Sequence, residues 1–337
     1  MEVQAGHYEG NRFLRCTWFR AVVMKLVKPI SNRGVALLTA MLISALVSLV
    51  ALNLLTRQQL EIRRTANVLD YDQALLYALG MESWAVQILV RDREKNTIDH
   101  LGEDWASHIP PLPVEGGEVM GELQDQQGLY NVNNLLNGEA IDPAEFERFQ
   151  RLLVALELPP ELAEGVVDWL DPDQEPRFSG GAEDQDYLLA QPPYRAANSW
   201  LRSRSELRLI KGFTPEVYRR LAPYVTALPD RTPVNVNTAP LPVMMSLIPG
   251  LSMEDAQNLV EARGGNGGYQ DISSFQNQPK IIGQIQFLSQ GTGISVSSRW
   301  FLAHGLTHIG RLTLDLYSLL LRDQGKAISV LRAQGTW

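Results

Sequence analysis

The apolar run VALLTAMLISALVSLVALNLL, residues 35–55, determines how the fold begins. It carries no charge, and a helix of that length covers about 30 Å, the thickness of one bilayer core. The segment that follows, residues 56–90, has apolar side chains at spacings of three and four and contains no proline. The sequence therefore predicts one continuous helix from about residue 36 to about residue 90. Its first half is expected to lie in a membrane and its second half to pack on a soluble domain.

The segment before this run is basic, with six Lys and Arg residues against two acidic residues in 1–34. Because basic flanks stay on the cytoplasmic side, we expect a single-pass anchor in the inner membrane with most of the chain in the periplasm. The junction Arg33-Gly34-Val35 resembles a type IV prepilin leader, in which a dedicated peptidase cuts after the glycine. The alternative is an uncleaved signal anchor with a chance glycine, and Met24 is an alternative start of translation.

Residue 39 departs from the pattern of pilin-like proteins. Most of them have glutamate as the fifth mature residue, whereas this place is taken here by Thr39. In that family the carboxylate is thought to pair with the terminal amine of a neighbouring subunit, and a buried charge without a partner is costly. A subunit without the carboxylate cannot satisfy the amine of the subunit that it docks beneath. We therefore expect a position at a filament end.

Composition excludes several classes of function. The chain has 337 residues, 20% of them charged, and a net charge of -8, which argues against a disordered protein and against a general nucleic-acid coat. The single cysteine, Cys16, excludes an intramolecular disulfide and a multi-cysteine zinc site. GxSxG, HExxH and phosphate-loop patterns are absent from the sequence. His304 and His308 would lie about 13 Å apart on a strand, too far to share a metal ion. We predict that the protein is not an enzyme.

The C-terminal region shows the alternation of apolar and polar residues that is typical of half-buried strands. Because the turns between these stretches are short, we expect an antiparallel sheet. Residues 117–123 are expected to add one strand, and residues 92–116 to form a loop. A long N-terminal helix on a C-terminal antiparallel sheet is an α+β, pilin-like fold. The alternating stretches are residues 294–296, 312–316 and 327–332.

The middle of the chain, residues 129–290, is typical of a helical, loop-rich domain. It contains a weak internal repeat, GLYNVNN (128–134) and TPVNVNT (232–238), in which Asn and Thr are good helix N-caps. The second copy continues into a helix-hairpin-helix pattern around Pro249-Gly250-Leu251. Such units often bind DNA, so the alternative function is a membrane-anchored DNA-binding or DNA-uptake protein. Since Arg263 is the only basic residue of this stretch, we expect no nucleic-acid partner.

The segment DWLDPDQEPRFSGGAEDQDY, residues 168–187, holds a dense group of acidic side chains. Hard oxygen ligands at close spacing suit calcium, although an EF-hand would have a glycine at the sixth loop position. Two acidic arms around residues 177–181 could enclose one or two calcium ions. The alternative is a solvated acidic loop with Arg177 or Arg195 as its counter-charge. The acidic residues are Asp168, Asp171, Asp173, Glu175, Glu183, Asp184 and Asp186.

Together these features resemble the K-type minor pseudopilins of type II secretion systems, the GspK family. The resemblance implies a subunit that forms a tip complex with I- and J-type minor pseudopilins and initiates or caps the periplasmic pseudopilus used in protein export. It also implies calcium in an inserted domain, with Asp171, Asp173, Glu183 and Asp184 as the ligands that match most directly and Asp168 as a further one. The resemblance is carried, in order, by the RG-VALL junction, GLYNVNNLL, DWLDPD, GAEDQDYL, PPYRAANS and VNVNTAP.

The same resemblance implies a division of the chain and two further partners. The partners are the prepilin peptidase, which would leave Val35 as a methylated N-terminus in place of the more usual Phe, and inner-membrane lipid. The expected parts are a leader (1–34), a transmembrane half-helix (35–55), a periplasmic half-helix with a loop and the first strand of the pilin core (56–128), an inserted α-helical domain (129–290) and C-terminal antiparallel strands (291–337).

Overall fold

The computed structural model describes residues 33–177, 180–264 and 267–337. The predicted leader lies outside these residues except for its last two positions, and Cys16 and Met24 lie outside with it. The helices are α1 (Arg33–Lys95), α2 (Pro143–Ala155), α3 (Leu162–Leu170), α4 (Asp184–Tyr187), α5 (Pro215–Leu221), α6 (Leu241–Ser246), α7 (Met253–Gly264), α8 (Ile272–Gln276) and α9 (Ile285–Leu288). The strands are β1 (Ile109–Val114), β2 (Gly117–Asp125), β3 (Tyr130–Asn131), β4 (Leu136–Asn137), β5 (Ala140–Ile141), β6 (Val225–Thr226), β7 (Val234–Asn235), β8 (Ile294–Ser295), β9 (Trp300–Ile309), β10 (Leu312–Asp323) and β11 (Lys326–Gln334).

The helix α1 is continuous over 63 residues, which confirms the prediction of a single long helix. The chain divides into two compact units, residues 1–63 and residues 64–337. The described part of the first unit is the apolar half of α1, and its side chains from residue 34 to residue 63 are all exposed. With a mean hydropathy of 2.6 over its most apolar stretch, the helix is long and apolar enough to cross a membrane.

The second unit contains a five-stranded sheet in the order β1-β2-β9-β10-β11. All four strand pairs are antiparallel, which confirms the predicted antiparallel sheet and the α+β, pilin-like fold class. The adjacent strands β2 and β9 are separated in sequence by residues 126–299, which we call the inserted region. At its two ends Asp125 pairs with Phe301. The inserted region therefore leaves and re-enters the sheet at neighbouring strands.

Two strand predictions were wrong in detail. Residues 92–116 were expected to be a loop, but β1 lies within them. The prolines of β1 are tolerated because β1 is an edge strand, where an N–H donor is not needed on the open side. Residues 294–296 were expected in the main sheet, but β8 pairs in parallel with β7. Its residue Ile294 belongs to the apolar core of the inserted region, and this burial accounts for the apolar alternation.

The second half of α1 packs on the sheet through one face. Ala74, Ala78, Ala85 and Leu89 recur at helical spacing and are buried. They contact apolar side chains of the three C-terminal strands in two clusters, one around Ala74 and Ala78 and one around Ala85 and Leu89. The side chains on the sheet side are Phe301, Ala303, Ile309, Leu314, Leu316, Leu320 and Ala327.

Glu82 lies on the same face of α1 and joins it to the last two strands. Its carboxylate accepts hydrogen bonds from Arg332 Nε and Nη2, both at 2.7 Å, and from Ser318 Oγ at 2.5 Å. Burial raises the pKa of Glu82, but the hydrogen bonds from Arg332 and Ser318 outweigh burial and hold the pKa below its usual value. The ionised form of Glu82 therefore stabilises the fold.

The inserted region has an apolar core of its own. Two short parallel strand pairs, β3–β6 and β7–β8, begin at the two copies of the sequence repeat. Asn131 in the first copy caps the 3₁₀ turn Val132–Leu135, as its sequence indicates. In the second copy the capping interpretation was wrong, because the N-cap residue of α6 is Pro240. Asn235 there accepts a hydrogen bond from the backbone of Asn237 at 3.0 Å.

Candidate metal centre

The acidic loop joins two helices of the inserted region. The helix α3 ends at Leu170, and its C-cap residue Asp171 has an extended backbone, so the chain leaves the helix at that point. The chain then returns to α4, whose N-cap residue is Glu183. The loop therefore brings an acidic residue at the end of one helix to an acidic residue at the start of the next.

Three of the five predicted metal ligands lie together. Asp171, Asp173 and Glu183 each offer one carboxylate oxygen, and these oxygens lie within 4.8 Å of one another. Asp171 and Glu183 are buried, with 6% and 1% of their surfaces exposed, and Asp173 is exposed. Three carboxylates at this spacing form part of a coordination shell for a hard cation, which backbone carbonyls and water can complete.

Without a cation the electrostatics of this group are unfavourable. Burial and the nearby charges of Asp168 and Asp171 raise the pKa of Glu183 to about 8. Burial and the charge of Asp173 raise the pKa of Asp171 to about 6. Within the described residues, Asp168 Oδ1, Asp171 Oδ1 and both oxygens of Glu183 are buried without a hydrogen-bond partner. A buried carboxylate oxygen is costly unless it is protonated, hydrogen-bonded or bound to a metal, so the residues present fit a calcium ion.

Asp168 lies beneath the loop and holds its fold. It is fully buried on α3, and its Oδ2 accepts a hydrogen bond from the backbone N–H of Arg177 at 3.0 Å. Burial raises the pKa of Asp168, and backbone hydrogen bonds from Arg177 and Ala182 act against that rise. A Cβ atom at Gly181 would overlap Asp168 Oδ2 and the backbone of Arg177. The close approach of the two segments therefore requires glycine at position 181.

The fifth predicted ligand, Asp184, faces a different set of partners. Its Oδ1 accepts a hydrogen bond from the backbone of Ala196 at 3.0 Å, and its Oδ2 lies 3.4 Å from Arg195 Nη1. The structure therefore places Asp184 outside the group of three. Arg177, the other counter-charge considered from the sequence, pairs with Glu164 at 2.5 Å.

Sequence reasoning missed a second group of buried carboxylates. Asp92, Asp99 and Glu103 each offer an oxygen within 4.8 Å of the others. Here Arg322 supplies a positive charge, because its Nη1 lies 2.8 Å from Asp92 Oδ2 and its Nη2 contacts Asp99 Oδ1. An internal counter-ion makes this group a poor metal site. No local sequence signal could have found it, since Asp92 and Arg322 are 230 positions apart.

The predicted processing residues lie at the start of α1. A Cβ atom at Gly34 would meet nothing within 4 Å, and Val35 is 60% exposed. Thr39 Oγ1 donates to the backbone oxygens of Val35 at 3.1 Å and of Ala36 at 3.0 Å. The hydroxyl of Thr39 is therefore hydrogen-bonded within its own helix.

The basic residue of the helix-hairpin-helix unit formed by α6 and α7, Arg263, binds backbone oxygens of the same protein. Arg263 Nη1 donates to the backbone oxygens of Val236 at 2.9 Å and of Ala239 at 2.7 Å. Gly250 has φ +73°, a conformation that the tight turn requires and that side chains other than glycine rarely adopt. The geometry of the hairpin thus has a structural role, and Arg263 is not presented to a phosphate.

Comparisons with known proteins agree on one family. Residues 128–230 match one family model and residues 234–297 a second, and both are described as "Type II secretion system (T2SS), protein K". The type II secretion system protein K of Pseudomonas aeruginosa is 38% identical over 89% of this chain and 92% of its own length. The protein K of Aeromonas hydrophila is 32% identical over 89% of this chain and 96% of its own length. This chain belongs to the type II secretion system protein K family.

A solved structure supports the same family. A chain of the crystal structure of the GspK-GspI-GspJ complex from the enterotoxigenic Escherichia coli type 2 secretion system matches with a TM-score of 0.73 and 27% sequence identity. The match covers 81% of this chain and 100% of that one. The family is one of structural pseudopilins, and this member is a minor pseudopilin of the type II secretion system. Its acidic loop lies in the first matched segment, and its hairpin lies in the second.

Proposed function

We propose that this protein is the K-type subunit of a pseudopilus tip, which assembles with I- and J-type minor pseudopilins and starts or caps the filament. The observation that carries the proposal is the fold itself, a long apolar helix on an antiparallel sheet with a large insertion between β2 and β9. That fold is similar to a chain of a GspK-GspI-GspJ complex. We assign the protein an assembly role and no catalytic step.

The tip assignment is tested by assembly and by secretion. The full chain, expressed with the I- and J-type subunits of the same organism, is expected to co-purify with both through a tag on the J-type subunit. Cells that lack this protein are expected to lose secretion and to regain it from a plasmid copy. Failure to co-purify, together with normal secretion in the deletion strain, would refute the assignment.

The proposal places the protein in the inner membrane as a single-pass protein with residues 56–337 in the periplasm. The prepilin peptidase cuts after Gly34 and exposes the amine of Val35, and bilayer lipid surrounds residues 35–55 until assembly. Thr39 lacks the carboxylate that would accept a neighbour's terminal amine, which supports a place at the filament end. The apolar, fully exposed first half of α1 supports the membrane location.

Processing is tested by replacing the glycine at the junction. Gly34→Leu is expected to leave the precursor uncut, so that its mass on a gel stays that of the unprocessed chain, and to abolish secretion. Gly80→Leu is the matched control, because Gly80 is an exposed glycine of the same helix with nothing within 4 Å of its Cβ position. Normal cutting of the Gly34 variant would contradict the proposed cleavage site.

We further propose that Asp171, Asp173 and Glu183 bind calcium, with Asp168 positioning the loop and offering its unpaired oxygen Oδ1. Support comes from the clustering of three carboxylates within 4.8 Å and from the buried oxygens that lack hydrogen-bond donors. The ion would neutralise the loop and fix the end of α3 to the start of α4. We propose that Asp171, Asp173 and Glu183 bind one ion. Asp184 would bind a second ion only if its contact with Arg195 were broken.

A further inference from the structure

Four buried carboxyl groups and one arginine lie where the inserted region meets the rest of the second unit. They form what we call the carboxylate–arginine cluster. Asp92 comes from the last turns of α1, Asp99 and Glu103 follow that helix, Asp125 ends β2, and Arg322 comes from β10. All five are buried, from 0% exposure for Asp99 to 8% for Glu103.

Within the cluster, Arg322 holds the end of α1 and the segment after it. Its Nη1 donates to Asp92 Oδ2 at 2.8 Å, and its Nη2 donates to Asp99 Oδ1 and, at 2.9 Å, to the backbone oxygen of Ser298. The guanidinium carbon also lies 4.7 Å from the centre of the Phe301 ring. One guanidinium is thus shared between Asp92 and Asp99.

Asp125 and Asp99 attach two segments of the inserted region. Asp125 Oδ2 accepts hydrogen bonds from Asn235 Nδ2 at 3.0 Å, Thr238 Oγ1 at 2.5 Å and Ser298 Oγ at 2.6 Å. Asp99 accepts a hydrogen bond from the backbone N–H of Ser298 at 2.7 Å through Oδ2 and one from Asn235 Nδ2 at 3.1 Å through its backbone oxygen. The attachment of these segments therefore depends on Asp99, which shares the Arg322 guanidinium with Asp92, and on Asp125, whose partners Asn235, Thr238 and Ser298 are uncharged.

The cluster holds more negative than positive charge. Four carboxyl groups face one guanidinium, and His100 Nε2 lies 3.8 Å from Glu103 Oε1. The charge of Lys95, whose Nζ pairs with Asp104 at 2.7 Å, also acts on Asp92. Burial and the charge of Glu103 raise the pKa of Asp92 to about 6. Burial also raises the pKa of Asp125 to about 6, and burial raises the pKa of Asp99. Buried carboxylates in such excess ionise together only at high cost.

We propose that this cluster makes the attachment of the inserted region depend on pH, tight when the excess carboxyl groups hold protons and looser when they ionise. The physical reason is that an ionised buried carboxyl group without a counter-charge gains most from water, and water reaches it when the junction opens. A carboxyl group with a raised pKa contributes stability that is complete below its unfolded pKa of about 4 and is lost as the pH rises through about 6. Between pH 5 and pH 7.5, Asp92 and Asp125 each raise the population of the opened junction about tenfold.

The proposal is tested by hydrogen exchange read by mass spectrometry on the full chain in detergent with saturating calcium, which keeps the acidic loop constant. Exchange at pH 5 and pH 7.5 is corrected for the intrinsic rate. In the wild type, opening of peptides that cover residues 92–103, 234–238 and 296–299 is expected to rise about 100-fold between the two pH values. In the double variant Asp92→Asn, Asp125→Asn the rise is expected to fall below about threefold.

Two controls separate the cluster from other causes. Glu118→Gln removes an exposed carboxyl group of β2 and is expected to behave as the wild type. His100→Gln is expected to keep the wild-type pH dependence, and loss of the dependence in this variant would assign it to the histidine and overturn the proposal. If the double variant does not fold, each single variant is expected to show a rise in opening of about tenfold between the two pH values, instead of the wild type's roughly 100-fold. Equal opening of the wild type at both pH values, or an undiminished rise in the asparagine variants, would also overturn the proposal.

Discussion

Replacing Glu183 by glutamine is expected to raise stability in chelator and to remove most of the stabilisation that calcium gives the wild type. In chelator, burial and neighbouring carboxylates raise the pKa of Glu183 from 4.5 to about 8. Such a group stabilises the fold below pH 4.5, and this stability is lost as the pH rises toward 8. At pH 7.5 the loss amounts to about 4 kcal/mol. Glutamine has the same shape and no charge, so Glu183→Gln is expected to raise the melting temperature in chelator by about 10 °C.

The stabilisation that calcium gives the wild type is expected to be largely absent in the Glu183→Gln variant. An ion that binds only the folded protein stabilises it by about 2.7 kcal/mol at a hundred times its dissociation constant. Glutamine keeps a neutral oxygen but removes a charged ligand from the group that contains Asp171 and Asp173, so most of the gain disappears. The wild type therefore moves from a low to a high melting temperature on addition of calcium, whereas the variant stays high.

The measurement is thermal unfolding of the full chain in detergent at pH 7.5, in chelator and in calcium. Glu175→Gln is the matched control, because it removes the same charge from the exposed part of the same loop. It is expected to match the wild type in both conditions. A Glu183→Gln protein that melts lower in chelator and keeps the full calcium shift would refute the assignment of this residue as a ligand.

Three further predictions concern neighbouring features. Gly181→Ala is expected to lower the free energy of unfolding by about 2 kcal/mol in urea, because its Cβ overlaps Asp168 and the backbone of Arg177, whereas Gly283→Ala, with open space at its Cβ, is neutral. Glu82→Gln is expected to cost about 1 kcal/mol at pH 7 and progressively less in acid, since the lowered pKa of Glu82 means that its contribution is lost as the pH falls through that pKa. Arg263→Ala is expected to lower the melting temperature and leave DNA binding at background in a gel-shift assay, because Arg263 binds backbone oxygens.

The long helix and the strand type could be predicted because both depend on local patterns. Twenty-one uncharged residues and a helical spacing that continues beyond them determine α1, whatever the remainder of the chain does. Alternation with period two identifies β10 and β11 in the same way, whereas β9 (Trp300–Ile309) was not among the alternating stretches found in the sequence. These signals lie within a few residues of each other and so need no knowledge of distant partners.

The wrong predictions concern segments whose structure depends on contacts with residues far away in the sequence. The prolines of β1 indicate a loop, but an edge strand beside β2 accepts them. The alternation at Ile294 indicates a strand of the main sheet, yet that residue packs in the inserted region. At the acidic loop, the sequence spacing gave no reason to treat Asp184 differently from Asp171 and Glu183 as a metal ligand. Only the fold shows that the carboxylate of Asp184 contacts Arg195 and the backbone N–H of Ala196.

The place of the inserted region between two paired strands has a consequence for folding. Asp125 and Phe301 face each other in the sheet, so closing β2 onto β9 joins chain ends separated by the whole of residues 126–299. Compared with a tight hairpin, closing a flexible loop of that length costs about 3 kcal/mol in chain entropy. Collapse of the inserted region around its own core brings its two ends together before any strand pairs. We therefore expect the pairing of β2 with β9 to be a late step in folding. A subunit then forms its complete sheet only after the inserted region has folded correctly.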